Sequence, residues 1–428
     1  MGNHRAQGKE MPCGEAQGAV IEKEIIKDMK IVRTFHPVGQ GAFYSERFFF
    51  YENDKLIANH NIVFDCGNLK RSKRGQKVAS KAFEKNDVID FLFISHLDYD
   101  HISLVETIFT EVKCIVKNIV LPLISVDDLR VLYAYYRILG AQGGAEFVHR
   151  IIENIAPSTN NNPDKKDDGV VVHMVGDVDD NRIDIGNARR WANGSESYTG
   201  WEPEWVLIPY NVEYKSRQME LIGQFDTLVA DKTVAGDINA TAGVEIKSGQ
   251  ELLEKLKDEV FVEKVLKTAS LRSVIKKAYE NIKGGTNENS LLLYSGPIRK
   301  ESGYSLVDCA PCCSWYNCST EKAGCLYTGD STCDMTDWEK KYSVIWELIG
   351  TIQLPHHGSV DSFDVSRNKI GGRFIFPVSF GCTNTYGHPS GKVLAYLRAN
   401  RCCVPMITEL ANSIYMQVIE QPSFFSRR

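Results

Sequence analysis

The chain has 428 residues, 43% of them hydrophobic and 25% charged, proportions that exclude wholesale disorder. Lys and Arg number 50 against 55 Asp and Glu, a formal charge of −5, so the strong basic excess of a dedicated nucleic-acid coat is missing. No run reaches the roughly 18 consecutive apolar residues of a spanning helix, and residues 1–30 hold no apolar core of secretory type. The expected compartment is the cytoplasm, with no membrane association, where the 12 cysteines default to thiols.

Residues 1–29 read as a loose polar tail. MKIVRTF then predicts a strand, HPVGQGAF a turn and ERFFFY a second strand, and NIVFDCG a third that closes on Asp65, Cys66 and Gly67. The basic stretch Lys70, Arg71, Lys73, Arg74 and Lys77 is expected in a loop. VIDFLFIS is nearly unbroken apolar sequence, which suits a strand buried on both faces, and it ends at His96. NIVLPLI is a further short apolar run. DDLRVLYAYYRILG and GAEFVHRIIENIA predict helices, the first stopped by Gly140. Beyond a polar loop at 156–169, VVVHMV and WVLIPY predict strands and 215–283 is mostly helical in pattern. NSLLLYSG, GCLYTGD, GTIQLPHHGS and RFIFPVSFG predict successive strands. PSGKVLAYLRAN predicts a helix with Pro389 near its start, and CCVPMITE and SIYMQVI close the chain. The pattern predicts one layered α/β domain over 30–428, carrying a helical insertion at about 125–285.

Chemistry concentrates at Ser95-His96-Leu97-Asp98-Tyr99-Asp100-His101, directly after the buried strand. A metal ion needs several N or O ligands converging from one rigid edge, and a strand end followed by a tight loop presents them. A loop in which Asp100 caps a helix from Ile102 is the alternative. Three later segments favour metal. Tyr327-Thr328-Gly329-Asp330 places a carboxylate at a second strand end. Leu354-Pro355-His356-His357-Gly358-Ser359 places two imidazoles at a third, and Asn384 and His388 follow a fourth.

These pieces, taken with VGQG at Val38 to Gly41, the FDCG strand end and NENSLLL at Asn287 to Leu293, resemble the metallo-β-lactamase fold superfamily in kind and order. They are most similar to the hydrolase domain of ComEC-type competence proteins and its free-standing soluble relatives. The resemblance covers about 31–418, with the middle unmatched. It implies a four-layer αββα sandwich holding two divalent metal ions, zinc or manganese, at one edge. By motif, His96, Asp98, Asp100 and His101 are implied as ligands, Asp330 as the bridging carboxylate and His357, in preference to His356, as the last imidazole. Asp65 is implied as the buried carboxylate that orients the metal loop. Asp98 departs from the family, which commonly has His there, and the substitution makes that half-site more oxygen-rich. No separate ligand is assigned between the first run and Asp330; His149 and His173, the histidines in that interval, follow no matching signature.

The implied activity is hydrolysis by a metal-bridging hydroxide, with Asp100, His356, His388 and Asn384 as the further catalytic candidates. The expected substrate is a phosphodiester in a nucleic acid or nucleotide, for which the basic 70–77 stretch offers a contact. The alternatives are a small ester, lactone or thioester on the same metals, or a catalytically weak interaction module; the 125–285 insertion would suit a protein partner. Tyr99 suits either a substrate pocket or packing, and Gly39 and Gly41 suit either a phosphate or a hairpin turn. Cys309, Cys312, Cys313, Cys318, Cys325 and Cys333 contain one Cys-x-x-Cys and are expected to be thiols rather than a structural zinc site.

Overall fold

The computed structural model describes residues 28–52, 54–70, 72–155, 169–175, 205–212, 218–281, 290–310, 322–370 and 374–420. The 1–27 part of the expected tail, Asn287–Asn289 of the NENSLLL motif, and Cys312, Cys313 and Cys318 lie outside them.

The fold is mixed α/β. Its larger sheet has eight strands. In spatial order they are β6 (Val171–Val175), β5 (Ile115–Pro122), β4 (Val88–Phe93), β3 (Lys55–Cys66), β2 (Phe43–Glu52), β1 (Asp28–Phe35), β14 (Tyr415–Glu420) and β9 (Ser305–Ala310). The block from β3 to β6 is parallel, and the rest pairs antiparallel. The smaller sheet runs β11 (Ile349–Ile352), β10 (Gly324–Tyr327), β8 (Leu291–Pro297), β7 (Trp205–Asn211). Ile375 bridges Thr351 of β11 to Cys403, toward the short parallel pair β12 (Val378–Ser379) and β13 (Met406–Ile407).

Strand periodicity explains how the sheets meet. Alternate residues of a strand face opposite sides, so Ile62 and Phe64 enter one core and Val63 another. Phe35, Tyr44, Phe64 and Phe93 of the larger sheet pack with Leu293 and Tyr327 of the smaller. On the far side of the larger sheet, Val63, Leu92 and Ile119 pack with Leu132, Tyr136, Phe147 and Val148 of the helices Val126–Leu139 and Gln142–Ile155. On the far side of the smaller sheet, Ile208, Tyr294 and Ile352 meet Trp338, Val393 and Leu397. The β4 run VIDFLF is buried almost throughout, as expected of a strand covered on both faces.

The strands expected at VVVHMV and WVLIPY within the 125–285 interval join the sheets, β6 at the edge of the larger and β7 at the edge of the smaller. Two expectations are corrected. Lys73, Arg74 and Lys77 of the basic stretch are helical rather than in a loop: Ser72 accepts from Gly75 N and caps a helix at Lys73–Ala82, while Arg71 lies outside the described residues. The strand β9 was not expected, and β1 begins at Asp28, inside the expected tail. The helices from Gln218 to Glu280 form a core of their own, including Phe225, Leu252, Phe261 and Ile275, which rests on Val131, Ala134 and Ile138 of the Val126–Leu139 helix. Among the described residues no helix is long and apolar enough to cross a membrane.

Candidate metal centre

The strand β4 delivers the chain through Ile94 and Ser95 to His96. A helical turn then spans Tyr99–Ile102, earlier than the helix expected from Ile102. Asp98 stands at its N-cap without a side-chain cap bond, and its Oδ2 lies 3.7 Å from His96 Nε2. The turn brings Asp100 and His101 onto the same side of the loop as His96. The rings of His96 and His101 are 3.9 Å apart.

Asp65, at the end of β3, organises this loop from behind. Its backbone is left-handed (φ 54°), a conformation uncommon outside glycine. Its buried carboxylate accepts from Ser95 N and Ser95 Oγ, both at 2.7 Å, and from His101 Nδ1 at 2.8 Å. With Nδ1 engaged, His101 directs Nε2 toward Asp330 Oδ1, 3.3 Å away. Ser95 Oγ also lies 2.9 Å from His96 Nδ1, which leaves His96 Nε2 facing Asp330 Oδ2 at 3.7 Å. Carboxylates behind imidazole ligands fix tautomer and orientation in this way.

Asp330 arrives from the end of β10. Gly329 (φ 53°) permits a close approach: a Cβ there would lie 2.4 Å from Ser290 Oγ and 2.6 Å from Ser95 Cβ. Gln353 locks the turn. Its buried Oε1 accepts from Thr328 N and Gly329 N at 2.9 Å, and its Nε2 donates to Leu354 O at 2.8 Å. Ser290 Oγ accepts from Asp330 N at 3.1 Å.

The Pro355–Gly358 segment carries three consecutive left-handed residues: His356 (φ 45°), His357 (φ 54°) and Gly358 (φ 77°). Each of the two histidines stores roughly 1–3 kcal/mol of backbone strain, the kind concentrated at functional sites. The strained turn separates their roles. His357 is buried, donates from Nδ1 to Ser379 O at 2.8 Å, and sets Nε2 3.2 Å from Asp100 Oδ2. His356 is 41% exposed, bonds Ser362 Oγ through Nδ1, and has Nε2 3.6 Å from Asp330 Oδ2. His357, and not His356, thus falls in a group of convergent His and Asp atoms.

The field of the site favours positive charge. Burial works against ionising Asp100, but the hydrogen bond from His357 and the nearby His101 charge hold its carboxyl down at about 2. Burial likewise opposes ionised Asp330, yet His101 and His356 carry it well below the carboxylate range. His101 is pushed well above its ordinary value despite burial because it lies between Asp330 and Asp65; His357 rises despite burial because Asp100 accepts from it and Asp330 is close. Burial and the His101 charge lower His96 to about 3, leaving a neutral imidazole. Burial raises Asp65, against the pull of His101 and Ser95.

Two sets of ligand atoms, His96 with His101 and Asp330, and Asp100 with His101 and His357, each lie within 4.8 Å of one another. These His/Asp groups can hold a metal ion. The fit rests on donor chemistry, since imidazole nitrogens and carboxylate oxygens together suit zinc or manganese. It rests also on His101 Nε2, a buried atom with no hydrogen-bond partner that faces Asp330.

The other candidates sort by what they touch. His388 stacks at 6.3 Å from His357 and stands edge-on to His356 at 5.3 Å; its Nδ1 is buried without a hydrogen-bond partner. Asn384, expected as a catalytic donor, is bonded within its own loop. Its Nδ2 donates to Gly381 O and His388 O, and its Oδ1 accepts from Tyr386 N and His388 N, so both amide protons are engaged in the loop that carries His388. Tyr99 packs on Tyr136, with ring centroids 5.9 Å apart. At Gly41 a Cβ would lie 2.4 Å from Gly67 O and 2.9 Å from Asp100 O, so this glycine serves close packing against the metal loop. His173 bonds Asn118 at the β5–β6 edge, and His149 lies beside Tyr133 and Glu153; neither joins a ligand group. Sequence reading assigned no role to Gln353, or to Ser290, which lies inside the quoted NENSLLL motif. Ser95 lay inside the quoted run but had no role assigned.

No protein-family model matches the chain, and no curated protein matches it.

Proposed function

We propose that the chain is a metal-dependent hydrolase of phosphodiesters, built as a metallo-β-lactamase-type four-layer αββα sandwich and nearest in kind to the ComEC-type hydrolase domain. The observation that carries the reading is convergence. Three strand-end segments far apart in sequence bring His96, Asp98, Asp100, His101, Asp330 and His357 to one edge between two sheets, with Asp65, from a fourth strand end, behind them. The layers of this reading are the Val126–Leu139 and Gln142–Ile155 helices, the two sheets, and the helices Met335–Lys341 and Gly391–Ala399.

When bound, divalent cations supply a nucleophile at neutral pH and an electrophilic anchor for a phosphoryl oxygen. The protein's part is to hold ligands and manage protons. Asp65 and Ser95 fix His101 and His96, Ser379 O fixes His357, and Gln353 fixes the Asp330 turn. His356, at the outer side of Asp330, is the group placed to pass a proton to a leaving oxygen, and His388 stands edge-on to it. Burial, with the His356 and His357 charges, keeps His388 down at about 4, so it is neutral at pH 7 and one ring nitrogen is free to accept.

The test is turnover of bis-p-nitrophenyl phosphate and of single- and double-stranded DNA by zinc- or manganese-loaded protein. We expect metal-dependent cleavage that His96→Ala and Asp330→Asn abolish. Turnover of wild type no higher than that of His96→Ala overturns the reading.

A further inference from the structure

The backbone carbonyls of the 95–101 loop are tied both within the loop and to other parts of the molecule. Leu291 N, at the start of β8, donates to Ser95 O at 2.7 Å; His101 N donates to Asp98 O at 3.0 Å; Ala42 N donates to Asp100 O at 3.1 Å. The Leu97 carbonyl, between His96 and Asp98, is held by a side chain instead: Tyr136 Oη donates to it. Tyr136 is 2% exposed, so this bond is shielded from water. Its ring lies against Tyr99, and the space for both rings depends on Gly144, where a Cβ would sit 3.1 Å from Cδ2 of each.

Tyr136 belongs to the Val126–Leu139 helix, the element shared between the large-sheet core and the 218–281 helical body. That helix is fastened to the body at several points. Arg272 Nε donates to Ile138 O at 2.8 Å, Arg137 pairs with Glu263, Lys257 Nζ lies 3.0 Å from Asp127 Oδ2, and the Tyr135 and Tyr279 rings are 4.3 Å apart. A short path of packed, hydrogen-bonded groups therefore runs from the helical body to the peptide that separates two ligands.

We propose that Tyr136 is a positioning residue of the metal centre: through the Leu97 carbonyl it sets the spacing of His96 and Asp98, and it passes the placement of the 218–281 body to that spacing. The inference rests on the metal-centre reading above. It gives the helical body a task, which is to tune metal affinity.

The experiment is titration of the full chain with Mn2+ and Zn2+ by calorimetry, with thermal unfolding of the metal-free protein alongside. Tyr136→Phe keeps the ring and removes the donor. We expect it to weaken metal binding by about 10-fold, the lower end for a lost outer partner of a metal site, with unfolding close to wild type. In turnover, kcat should fall while KM changes little. Arg272→Ala, remote from the ligands, should weaken binding in the same direction by less. Should Tyr136→Phe fail to fold, Gly144→Ala retains the hydroxyl but crowds the ring, and it should weaken binding likewise. A folded Tyr136→Phe with wild-type metal affinity and kcat overturns the positioning role; Arg272→Ala at wild-type affinity overturns the link to the helical body. If wild type itself takes up no more metal than His96→Ala, the metal-centre reading falls and the proposal falls with it.

Discussion

Two buried charged networks lie between the same pair of sheets, and they are built to opposite standards. Around Arg33 and Glu46, at most 1% exposed, every group is answered. Arg33 Nε donates to Glu46 Oε1 at 2.6 Å and its Nη1 to Gln417 Oε1 at 2.9 Å, while Glu46 also accepts from Ser295 Oγ at 2.6 Å and Tyr327 Oη at 2.9 Å. Around His101, Asp65 and Ser95 are equally well satisfied on the inner side. On the outer side, imidazoles and carboxylates face each other at 3.2 to 3.7 Å, and His101 Nε2 has no hydrogen-bond partner. A buried network that serves structure closes its hydrogen bonds because an unanswered buried charge is costly. One that leaves ligand atoms convergent and open is arranged for something else to bind.

The difference can be broken by substitution. The largest effect should come from Asp330→Asn, which removes the carboxylate that faces His96, His101 and His356. We expect metal uptake, read by calorimetry, and phosphodiester turnover to drop to the His96→Ala level while the protein stays folded. Glu46→Gln should do the reverse. Leaving Arg33 buried without its partner should cost about 3–5 kcal/mol of stability in urea unfolding, with metal affinity per folded molecule unchanged. Gly329→Ala bridges the two behaviours: its Cβ would meet Ser290 and Ser95 and its backbone is left-handed, so about 1–3 kcal/mol should be lost together with weaker metal binding.

The smallest test compares two buried histidines by pH. Burial, with the Arg47 charge, lowers His36 to about 3; it lies stacked on Phe43 and bonded to Ser45. Its native form resists protonation, so its contribution is complete above the unfolded value of about 6.5 and is lost as pH falls from there toward 3. His101 is raised instead, so its contribution is complete below about 6.5 and is lost as pH rises through its folded value. Urea unfolding of metal-free protein from pH 4 to 8 should show His36→Gln flattening the acid side of the profile. Identical acid slopes for His36→Gln and wild type would remove this contrast.

How much of this was legible beforehand depended on whether a residue's chemistry or its surroundings assign its role. That the 96–101 run, Asp330 and the 356–357 doublet would meet was legible because His and Asp side chains clustered directly after apolar strand runs mark one rim of the sheets. Gln353, Ser290 and Tyr136 were not: an amide or hydroxyl is common anywhere, and only the tertiary neighbours Gly329, Asp330 and Leu97 give it meaning. The segments at 171–175 and 205–211 read correctly as strands, but their membership in the two sheets rests on pairing with β5 and with the distant β8. For Asn384 the type suggests a donor to substrate, and only the folded loop shows both amide protons bonded to Gly381 O and His388 O.

The Val126–Leu139 helix serves two hydrophobic cores at once, with Leu129, Leu132 and Tyr136 on one side and Val131, Ala134 and Ile138 on the other. Excision of 218–281 to obtain a smaller protein would therefore strip cover from a row of apolar side chains and invite self-association. A trimmed chain would stay dispersed only if Val131, Ala134 and Ile138 were first exchanged for polar residues that keep the helix.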